Sequence, residues 1–591
     1  MTLTLLEKMR QTWAQLYSDE TLLNDFIAEL HAFNKQYPLK PLEPEWYKDV
    51  VVYCLYVDQF NTDFNGLTNK LPYLQSLGIT CLWLLPILDS PLKDYGFDIR
   101  DYRKIRKDLL GLSEPSSATT WQATQNQIFV QFIQAAHRCN IRVIFDIAMN
   151  HTSNEHQWFQ NELGQLRQGL RKPDLAQDYY IWSATGQEYL KAPVIFNDEG
   201  DSIWHRAHKD DPYYYLHRFF KEQPDLNYRN PKVLLDMCQN LLYWVAQGVD
   251  GFRADAIPFL WKEEGTDCES LPQLHILLKF FRLVLDFVRP HTLILAEAVL
   301  FPEKIVEYFG QADECQAAYH FPLMSNIYLA LAKEDKNPIE RALADTPAVP
   351  KSCQWFSLLR CHDSLPVEIV EPEERKGLYD YYCHDPKWGF MEQTNISARL
   401  SDLFKGDAKR IDLINSILLT LIGTPIIYYG DEFALSNDVT FWQRKIEETG
   451  HPDSRFLVRG KVNWDNLEKQ LNQPESLEAQ VFSNLKKQLK IRQHYCHYFG
   501  QGEIAQVPVK TLDGHPNRQV LAYRRFLPEQ HEQILVLHNL SAQPQTIKVI
   551  LPNGNSDSWQ DTDLFGQPIF AQKNGLYLPS YAYQWILLTD L

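Results

Sequence analysis

The sequence of 591 residues lacks several features that would place a protein in a class at once. It has no run of about 18 apolar residues, so we expect no membrane span. Its N-terminus has no basic start followed by an apolar block, so no secretory signal is predicted. Its ten cysteines include no C-x-x-C pair, which argues against a zinc site or a disulfide framework. Together these absences favour a cytoplasmic protein that does not bind a membrane.

Positive charge is also in short supply. Lysine and arginine number 58 against 75 aspartates and glutamates, giving a net charge of -17. This balance argues against a nucleic-acid partner. Hydrophobic residues make up 45% of the chain, which is a globular composition. The 13% of aromatic residues fit a large aromatic core, and some of the rings could also stack on sugars.

Eight short apolar runs separated by helix-length segments dominate the middle of the chain. They are DVVVYCLYV, ITCLWLLPI, IRVIFDIAM, GVDGFRADAI, HTLILAEAVL, AAYHFPLM, QWFSLLRCHD and GTPIIYYGDE. Eight buried-type strands alternating with helices predict an α/β fold, the (β/α)8 TIM barrel, over residues 45–498. A polar and aromatic stretch at about 152–222, after the third strand, is too long for an ordinary loop and predicts an inserted subdomain.

Different patterns occupy the two ends of the chain. Residues 1–44 place apolar side chains at spacings of three and four, which predicts an N-terminal helical extension. It could pack on the barrel or mediate self-association, and the sequence leaves the oligomeric state open. Residues 499–591 alternate with a period of two and predict a C-terminal antiparallel β-sandwich domain.

Charged residues follow several of the predicted strands. In a barrel of this kind such positions lie at the mouth and are typical of catalytic groups. The third strand runs into Asp146, Asn150 and His151, the fourth contains Arg253 and Asp255, the fifth ends at Glu297, and the seventh at His362 and Asp363. One such carboxylate often only caps the next helix, but the ordered series predicts an active site.

Arg253 and Asp255 are two positions apart on one strand, so their side chains point the same way. We expect the guanidinium to lower the pKa of Asp255 and keep it ionised. Glu297 follows an apolar strand, an environment that suits a proton donor. Such a pair is the minimal machinery for cleaving a glycosidic bond. The alternative is an Arg–Asp bridge that only braces the barrel, which would leave Glu297 and Asp363 without partners.

The motifs DIAMNH, GFRADA, LAEA, CHD and GTPIIYYGDE resemble those of the α-amylase family of glycoside hydrolases. Longer stretches, EGTDCESLP, DECQAAYHFPLM and HRFFKEQPDLNYRNP, are similar to the trehalose synthases (maltose glucosylmutases) of that family. The resemblance covers residues 45–435 strongly, is weaker from about 499 onward and is absent from the N-terminal helices.

The resemblance implies Asp255 as nucleophile, Glu297 as general acid/base and Asp363 as the carboxylate that stabilises the transition state. It also places His151, Arg253 and His362 around the same glucosyl unit. The motif KDYGFDI adds two further substrate-binding residues, Asp94 and Phe97. Asp94 would grip the terminal glucose, and Phe97 would stack where the family has tyrosine. This implies retaining action, through a covalent glucosyl–enzyme, on a small α-glucoside such as a disaccharide or a glucosyl-polyol.

Several positions depart from the family pattern. Where trehalose synthases have a calcium-holding glutamate, this chain has Lys262, whose ammonium could fill the place of the ion by bonding to Asn150 and Asp225. We therefore expect no metal and no cofactor. The segment after GTPIIYYGDE also lacks the Gln-Trp loop that shapes the acceptor side. These departures favour hydrolysis of the α-glucoside. Isomerisation of maltose to trehalose is the alternative. A third hypothesis, outside the enzymes, is a non-catalytic protein on an amylase fold.

Overall fold

The computed structural model describes residues 4–112, 117–195, 202–391, 394–551, 562–569, 571–572 and 575–589. Eight parallel strands close into a barrel, which confirms the predicted fold class. In chain order, the first to eighth strands are Val52–Leu55, Cys81–Leu84, Arg142–Ala148, Gly251–Asp255, Leu293–Ala296, Ala317–Tyr319, Gln354–Leu358 and Thr424–Tyr428. The eighth strand pairs with the first, with Ile426 opposite Val52. These strands are buried almost throughout, which is why they are continuous apolar runs in the sequence.

Helices alternate with the strands along the chain. The long helices between strands are Phe64–Leu77, Ala118–Arg138, Pro231–Ala246, Pro272–Val288, Phe321–Lys333 and Ala408–Thr420, and Leu477–His494 follows the eighth strand. Shorter helices occupy the connections: Val57–Asn61, Pro302–Ile305, Asn337–Ala344, Pro372–Tyr382, Leu400–Leu403, Val439–Thr449, Trp464–Leu471 and Cys496–Gly500. Proline at the first position starts several of them, because its missing N–H has no partner there in any case. No helix in the described ranges has both the length and the apolar character needed to cross a membrane.

The long connection after the third strand contains structure of its own. It forms the helix Gln157–Arg167 and an antiparallel sheet of Trp182–Ser183, Tyr214–Leu216 and Trp204–His205, with Tyr214–Leu216 in the middle. Buried Glu162 accepts hydrogen bonds at 2.9 Å from the Trp182 indole and at 2.6 Å from the backbone of Tyr179. The segment returns to the barrel at an isolated bridge between residues 151 and 225.

The N-terminal helices Leu5–Trp13 and Glu20–Gln36 pack against the barrel. Trp13 contacts Phe280 of the helix Pro272–Val288 with ring centroids 5.7 Å apart, and its helix begins with a capping box. Of the two arrangements left open by the sequence, packing on the barrel is the one observed.

Antiparallel sheets follow the barrel. One contains Glu503–Gln506, Val520–Phe526, Gln533–Asn539 and Tyr583–Leu588, and the other Val509–Thr511, Gln545–Val549, Gly575–Leu578 and Ala571–Gln572. They share a core of apolar side chains. A polar cluster joins them to the barrel helices, where the Asp412 carboxylate accepts from Gln488 Nε2 at 2.6 Å and from the Tyr583 hydroxyl at 3.1 Å. Burial raises the pKa of Asp412 to about 7.

Candidate active site

A cavity of about 300 Å³ opens at the carboxyl ends of the barrel strands. Its lining includes every residue of the predicted site: Asp94, Phe97, His151, Arg253, Asp255, Glu297, His362 and Asp363. The volume is at the lower end of the range for small-molecule sites, so it suits one or two sugar rings better than a polymer. The gathering of residues that lie as much as 269 positions apart in the sequence follows from the barrel, since parallel strands end on the same face.

Arg253 organises one side of the cavity. Its Nη1 donates to Asp146 Oδ1 at 2.7 Å and also to Asp255 Oδ1, while its Nη2 lies 3.5 Å from Glu297 Oε1. The second oxygen of Asp146 accepts a hydrogen bond from the Trp83 indole at 2.9 Å. One guanidinium therefore holds three carboxylates from the third, fourth and fifth strands.

The pKa of Asp255 does not follow the expectation from the sequence. Burial raises it well above its ordinary value, Arg253 opposes the shift, and the charges of Glu297 and Asp146 add to it. Burial also raises the pKa of Asp146 to about 7. The prediction from the sequence placed one carboxylate, Asp255, beside Arg253, whereas the guanidinium contacts three. The crowding of three carboxylates around one guanidinium therefore favours a shared proton over full ionisation.

Glu297 is held in place by the backbone of the neighbouring strand end. Its Oε2 accepts a hydrogen bond at 2.9 Å from the N–H of Ala256, the residue after Asp255. Ala256 has a φ of 54°, a left-handed conformation that costs a non-glycine residue energy and occurs often at functional sites. This turn aims a donor at Oε2 of Glu297, while Arg253 contacts both Oε1 of Glu297 and Asp255.

Asp363 faces two arginines that the sequence analysis did not identify. Arg455 Nη1 and Arg459 Nη2 lie 3.3 Å and 3.4 Å from its Oδ1, and His362 Nε2 lies 3.1 Å from Oδ2. Burial alone would raise the pKa of Asp363, but the contact with His362 and the charges of the two arginines bring it below its ordinary value. Asp363 is therefore the carboxylate of the site that remains ionised most firmly. Burial lowers the pKa of His362 well below its ordinary value, so this imidazole is neutral at neutral pH.

A second network of polar side chains in the cavity wall surrounds Asp94. Its Oδ2 accepts from Gln223 Nε2 at 3.0 Å, and its Oδ1 lies 3.5 Å from Arg455 Nη2. The same Gln223 nitrogen lies 3.1 Å from His151 Nε2. Burial raises the pKa of Asp94 to about 7 and lowers that of His151 to about 4, so the imidazole is neutral at neutral pH.

Phe97 lies flat against His362, with ring centroids 5.3 Å apart and planes 18° apart. Arg253 lies over the Phe97 ring as well, 5.7 Å from its centroid. Cys361, the residue before His362, is buried, and burial raises the pKa of its thiol to about 12. The thiol is thus a neutral, space-filling group beside the cavity.

Lys262 is fully enclosed next to the site. Its Nζ donates to Asn150 Oδ1 at 2.6 Å and to the carbonyl of Leu226 at 3.1 Å, and it forms an ion pair with Asp225 Oδ2 at 3.1 Å. The two partners named from the sequence, Asn150 and Asp225, are both present. Burial lowers the pKa of Lys262, and Asp225 opposes this shift.

One group in the cavity wall offers ligand atoms of the kind that bind metals. Cys361, His362 and Asp363 bring one such atom each within 4.8 Å of one another. Arg455 and Arg459 already contact Asp363, and their positive charges disfavour a cation at this position.

The residues missed by sequence reasoning come from segments without periodicity. Arg455 and Arg459 lie on the 3-10 helix Ser454–Arg459, and Gln223 lies at the end of the inserted segment. A signal was present, because two arginines four positions apart interrupt the apolar stretch SRFLVR. Asp453, which contacts Arg455 Nη2 at 2.7 Å, orients that arginine between Asp94 and Asp363.

Comparison with known proteins gives consistent results. The family profile "Alpha amylase, catalytic domain" matches residues 55–356. The trehalose synthase/amylase of Mycobacterium tuberculosis (strain ATCC 25618 / H37Rv) is 35% identical over 588 residues, covering 93% of this chain and 91% of that protein. The trehalose synthase of Thermus thermophilus is 36% identical over 567 residues, covering 91% of this chain and 54% of that protein.

The structure of the α-amylase from H. orenii superimposes with a TM-score of 0.66 at 21% identity, covering 92% of this chain and all of that one. At this identity the superposition supports the fold alone. The family profile spans half of the chain and the curated relatives nearly all of it, so this protein belongs to the α-amylase family.

Proposed function

We propose that this protein is a retaining glucosyl-transferring enzyme that interconverts maltose and trehalose. The observation that carries the proposal is the similarity to trehalose synthases at 35–36% identity over more than nine tenths of the chain. Hydrolysis was the expectation from the sequence, because the acceptor loop and Lys262 both depart from the family pattern. The relatives favour the isomerase alternative, and a cavity of about 300 Å³ is compatible with it.

In this mechanism Asp255 attacks the anomeric carbon of the terminal glucose while Glu297 protonates the departing oxygen. Transfer of that proton balances the step, because the C–O bond to the leaving sugar breaks as the bond to Asp255 forms. Positive charge develops at the anomeric carbon and stabilises the anionic form of Asp255. Arg253 supports both carboxylates, so it would also limit the build-up of negative charge when Glu297 becomes anionic.

The glucose unit would be recognised by the side chains around Asp94 and Asp363. Asp94 and Asp363 would accept hydrogen bonds from the sugar hydroxyls, with Arg455 between them as a shared donor. Neutral His151 and His362 can each donate or accept, and Phe97 offers an apolar face. A buried carboxylate at this position suits the hydroxyls of a terminal glucosyl residue better than the interior of a polymer.

The second half of the reaction decides the product. After cleavage Glu297 is a carboxylate and can remove a proton from water or from a hydroxyl of the retained glucose. Attack by the anomeric hydroxyl of that glucose gives trehalose, whereas attack by water gives two glucose molecules. Isomerisation therefore requires that the cavity holds the released sugar and limits water.

We also propose that no metal takes part and that Lys262 supplies the positive charge instead. The support is its enclosed ammonium among the oxygens of Asn150, Asp225 and Leu226. A structural cation would need six to eight oxygen ligands at this point, and the ammonium already uses the three that converge.

Incubation with maltose, followed by proton NMR, tests this proposal. Trehalose as the major product supports isomerisation, and glucose alone supports the second candidate, an α-glucosidase. That candidate is favoured by the similarity to the α-glucosidase of Culex pipiens, 25% identical over 78% of this chain. An inactive wild type that matches Asp255→Asn would contradict both and favour a non-catalytic protein.

A further inference from the structure

The cavity lining contains a further carboxylate, Glu269, outside the network that surrounds the glucosyl position. Glu269 lines the cavity together with Asp255 and Glu297, but it belongs to the loop that follows the fourth strand. It is half-buried, and no described residue donates a hydrogen bond to its carboxylate. Asp94, Asp255, Glu297 and Asp363 are all held by partners, whereas Glu269 on this side of the cavity and Glu368 on the loop after the seventh strand are the lining carboxylates without one among the described residues.

The loop holds Glu269 in a strained but fixed conformation. The residues on either side, Cys268 and Ser270, have φ values of 56° and 50°, in the left-handed region that non-glycine residues rarely adopt. The N–H of Ser270 donates to the carbonyl of Pro258 at 2.8 Å, and its hydroxyl lies 2.7 Å from that of Tyr308. Such strain persists only where the surroundings enforce it, and it is common at ligand sites.

A buried arginine fixes the same loop from below. Arg218 Nη1 donates to the carbonyls of Asp267 and Cys268 at 3.1 Å and 3.2 Å, and its guanidinium lies 4.8 Å from the centre of the Phe259 ring. Phe259 contacts Phe219 with centroids 5.6 Å apart, and Phe219 in turn contacts His151 at 5.0 Å. Phe219, Phe259 and Glu269 all line the cavity, and Glu269 makes none of the contacts that join Asp94, His151 and Asp363, which leaves it for the part of a substrate outside the glucosyl position.

Together, Glu269, Phe219 and Phe259 suit the binding of a hydroxylated ring. A carboxylate can accept two hydrogen bonds from neighbouring hydroxyls, and the Phe219 and Phe259 rings offer apolar faces to the ring's C–H groups. Glu269 is half-buried and therefore only partly solvated. This burial raises the pKa of Glu269, and the charge of Arg218 opposes the shift. Hydrogen bonds to such a group discriminate strongly against a ligand that lacks the hydroxyls.

We propose that Glu269 is a specificity-determining residue that binds hydroxyls of the leaving sugar and retains that sugar in the cavity. This inference rests on the proposed function and adds to it the recognition of the second sugar. A sugar aglycone uses Glu269, and an aglycone without hydroxyls does not.

The test compares maltose with p-nitrophenyl α-glucoside, which has the same glucosyl half and no hydroxyls on the leaving group. We expect Glu269→Gln to lower kcat/KM for maltose by about tenfold or more, the effect of losing hydrogen bonds to a charged group. The kcat/KM for p-nitrophenyl α-glucoside should stay within about twofold. The ratio of trehalose to glucose formed from maltose should fall as well.

Two variants serve as comparisons. Glu475→Gln removes an exposed carboxylate distant in sequence from the site and should match the wild type with both substrates. Glu368→Gln removes a carboxylate from the loop after the seventh strand, which also lines the cavity, and reports whether any loss of charge there has the same effect. Thermal unfolding of each variant checks that the strained loop is intact.

Three results would overturn the inference. Equal loss with both substrates would mean a structural role for Glu269, no loss with either would mean no contact, and identical behaviour of Glu269→Gln and Glu368→Gln would mean a general charge effect. In each case the wild type still turns over maltose and the proposed function stands. A wild type inactive on maltose would remove the proposed function and this inference together.

Discussion

Replacement of Lys262 by methionine tests the ammonium directly. The side chain is 3% exposed and contacts three oxygens, and Asp225 beside it is fully buried. Methionine has a similar length and no charge, so the substitution removes the ion-pair partner of Asp225 and leaves that buried carboxylate with the backbone N–H of Arg218 at 3.1 Å as its remaining hydrogen-bond donor among the described residues. Removal of one partner of a buried ion pair costs about 3–5 kcal/mol.

This loss translates into a measurable shift. The unfolding entropy of a chain of this length is roughly 1.2 kcal/mol/K near the midpoint, so the Tm should fall by about 3 °C if the whole chain unfolds together. A larger fall is expected if the barrel unfolds separately. Lys232→Met is the matched control, because Lys232 is exposed and its removal should change the unfolding free energy by no more than about 0.5 kcal/mol.

Lys262→Glu examines the relation to a cation. The introduced carboxylate would join the oxygens of Asn150, Asp225 and Leu226, and we expect calcium to raise the Tm of this variant. Calcium at a hundred times its Kd contributes about 2.7 kcal/mol of stability. Calcium and a chelator should leave the wild type unchanged. A chelator that lowers the wild-type Tm, or an Lys262→Met protein as stable as the wild type, would refute the reasoning.

Two further predictions use single variants. Arg455→Lys should raise KM for maltose by about tenfold or more, because a lysine cannot bridge Asp94 and Asp363 as the forked guanidinium does, and unchanged steady-state kinetics would argue against this role. Asp412 has a pKa of about 7 in the folded protein against about 3.8 unfolded, so folding binds a proton and stability falls as pH rises from about 4 to 7, by at most about 4 kcal/mol. Asp412→Asn should therefore unfold with a flatter pH dependence and be the more stable protein at pH 8 in denaturant titrations. A variant that keeps the wild-type slope would contradict the assignment.

The sequence predicted those parts of the site that depend on regular structure. Asp255, Glu297 and Asp363 could be predicted because each ends or closely follows a strand of a repeating β/α pattern, and parallel strands end on the same face. The contacts of Lys262 with Asn150 and Asp225 were also predicted, since the family resemblance placed them around one position.

Side chains delivered by irregular loops were beyond sequence reasoning. Arg455 lies 92 residues from Asp363 and 361 from Asp94, on a segment whose path is set by tertiary contacts. The pKa of Asp255 failed for a related reason. Its direction depends on how many carboxylates share Arg253, and that number becomes apparent only when the third and fifth strands are in place.

The most direct test of the account is the fate of maltose followed by proton NMR from the first minutes of reaction. Isomerisation with retention predicts that trehalose accumulates ahead of free glucose and that any glucose cleaved from the glucosyl–enzyme first appears as the α-anomer. Asp255→Asn should lower both signals by at least about four orders of magnitude. Glucose from the non-reducing half of maltose that first appears as the β-anomer, or maltose consumed with no trehalose formed, would contradict the central claim.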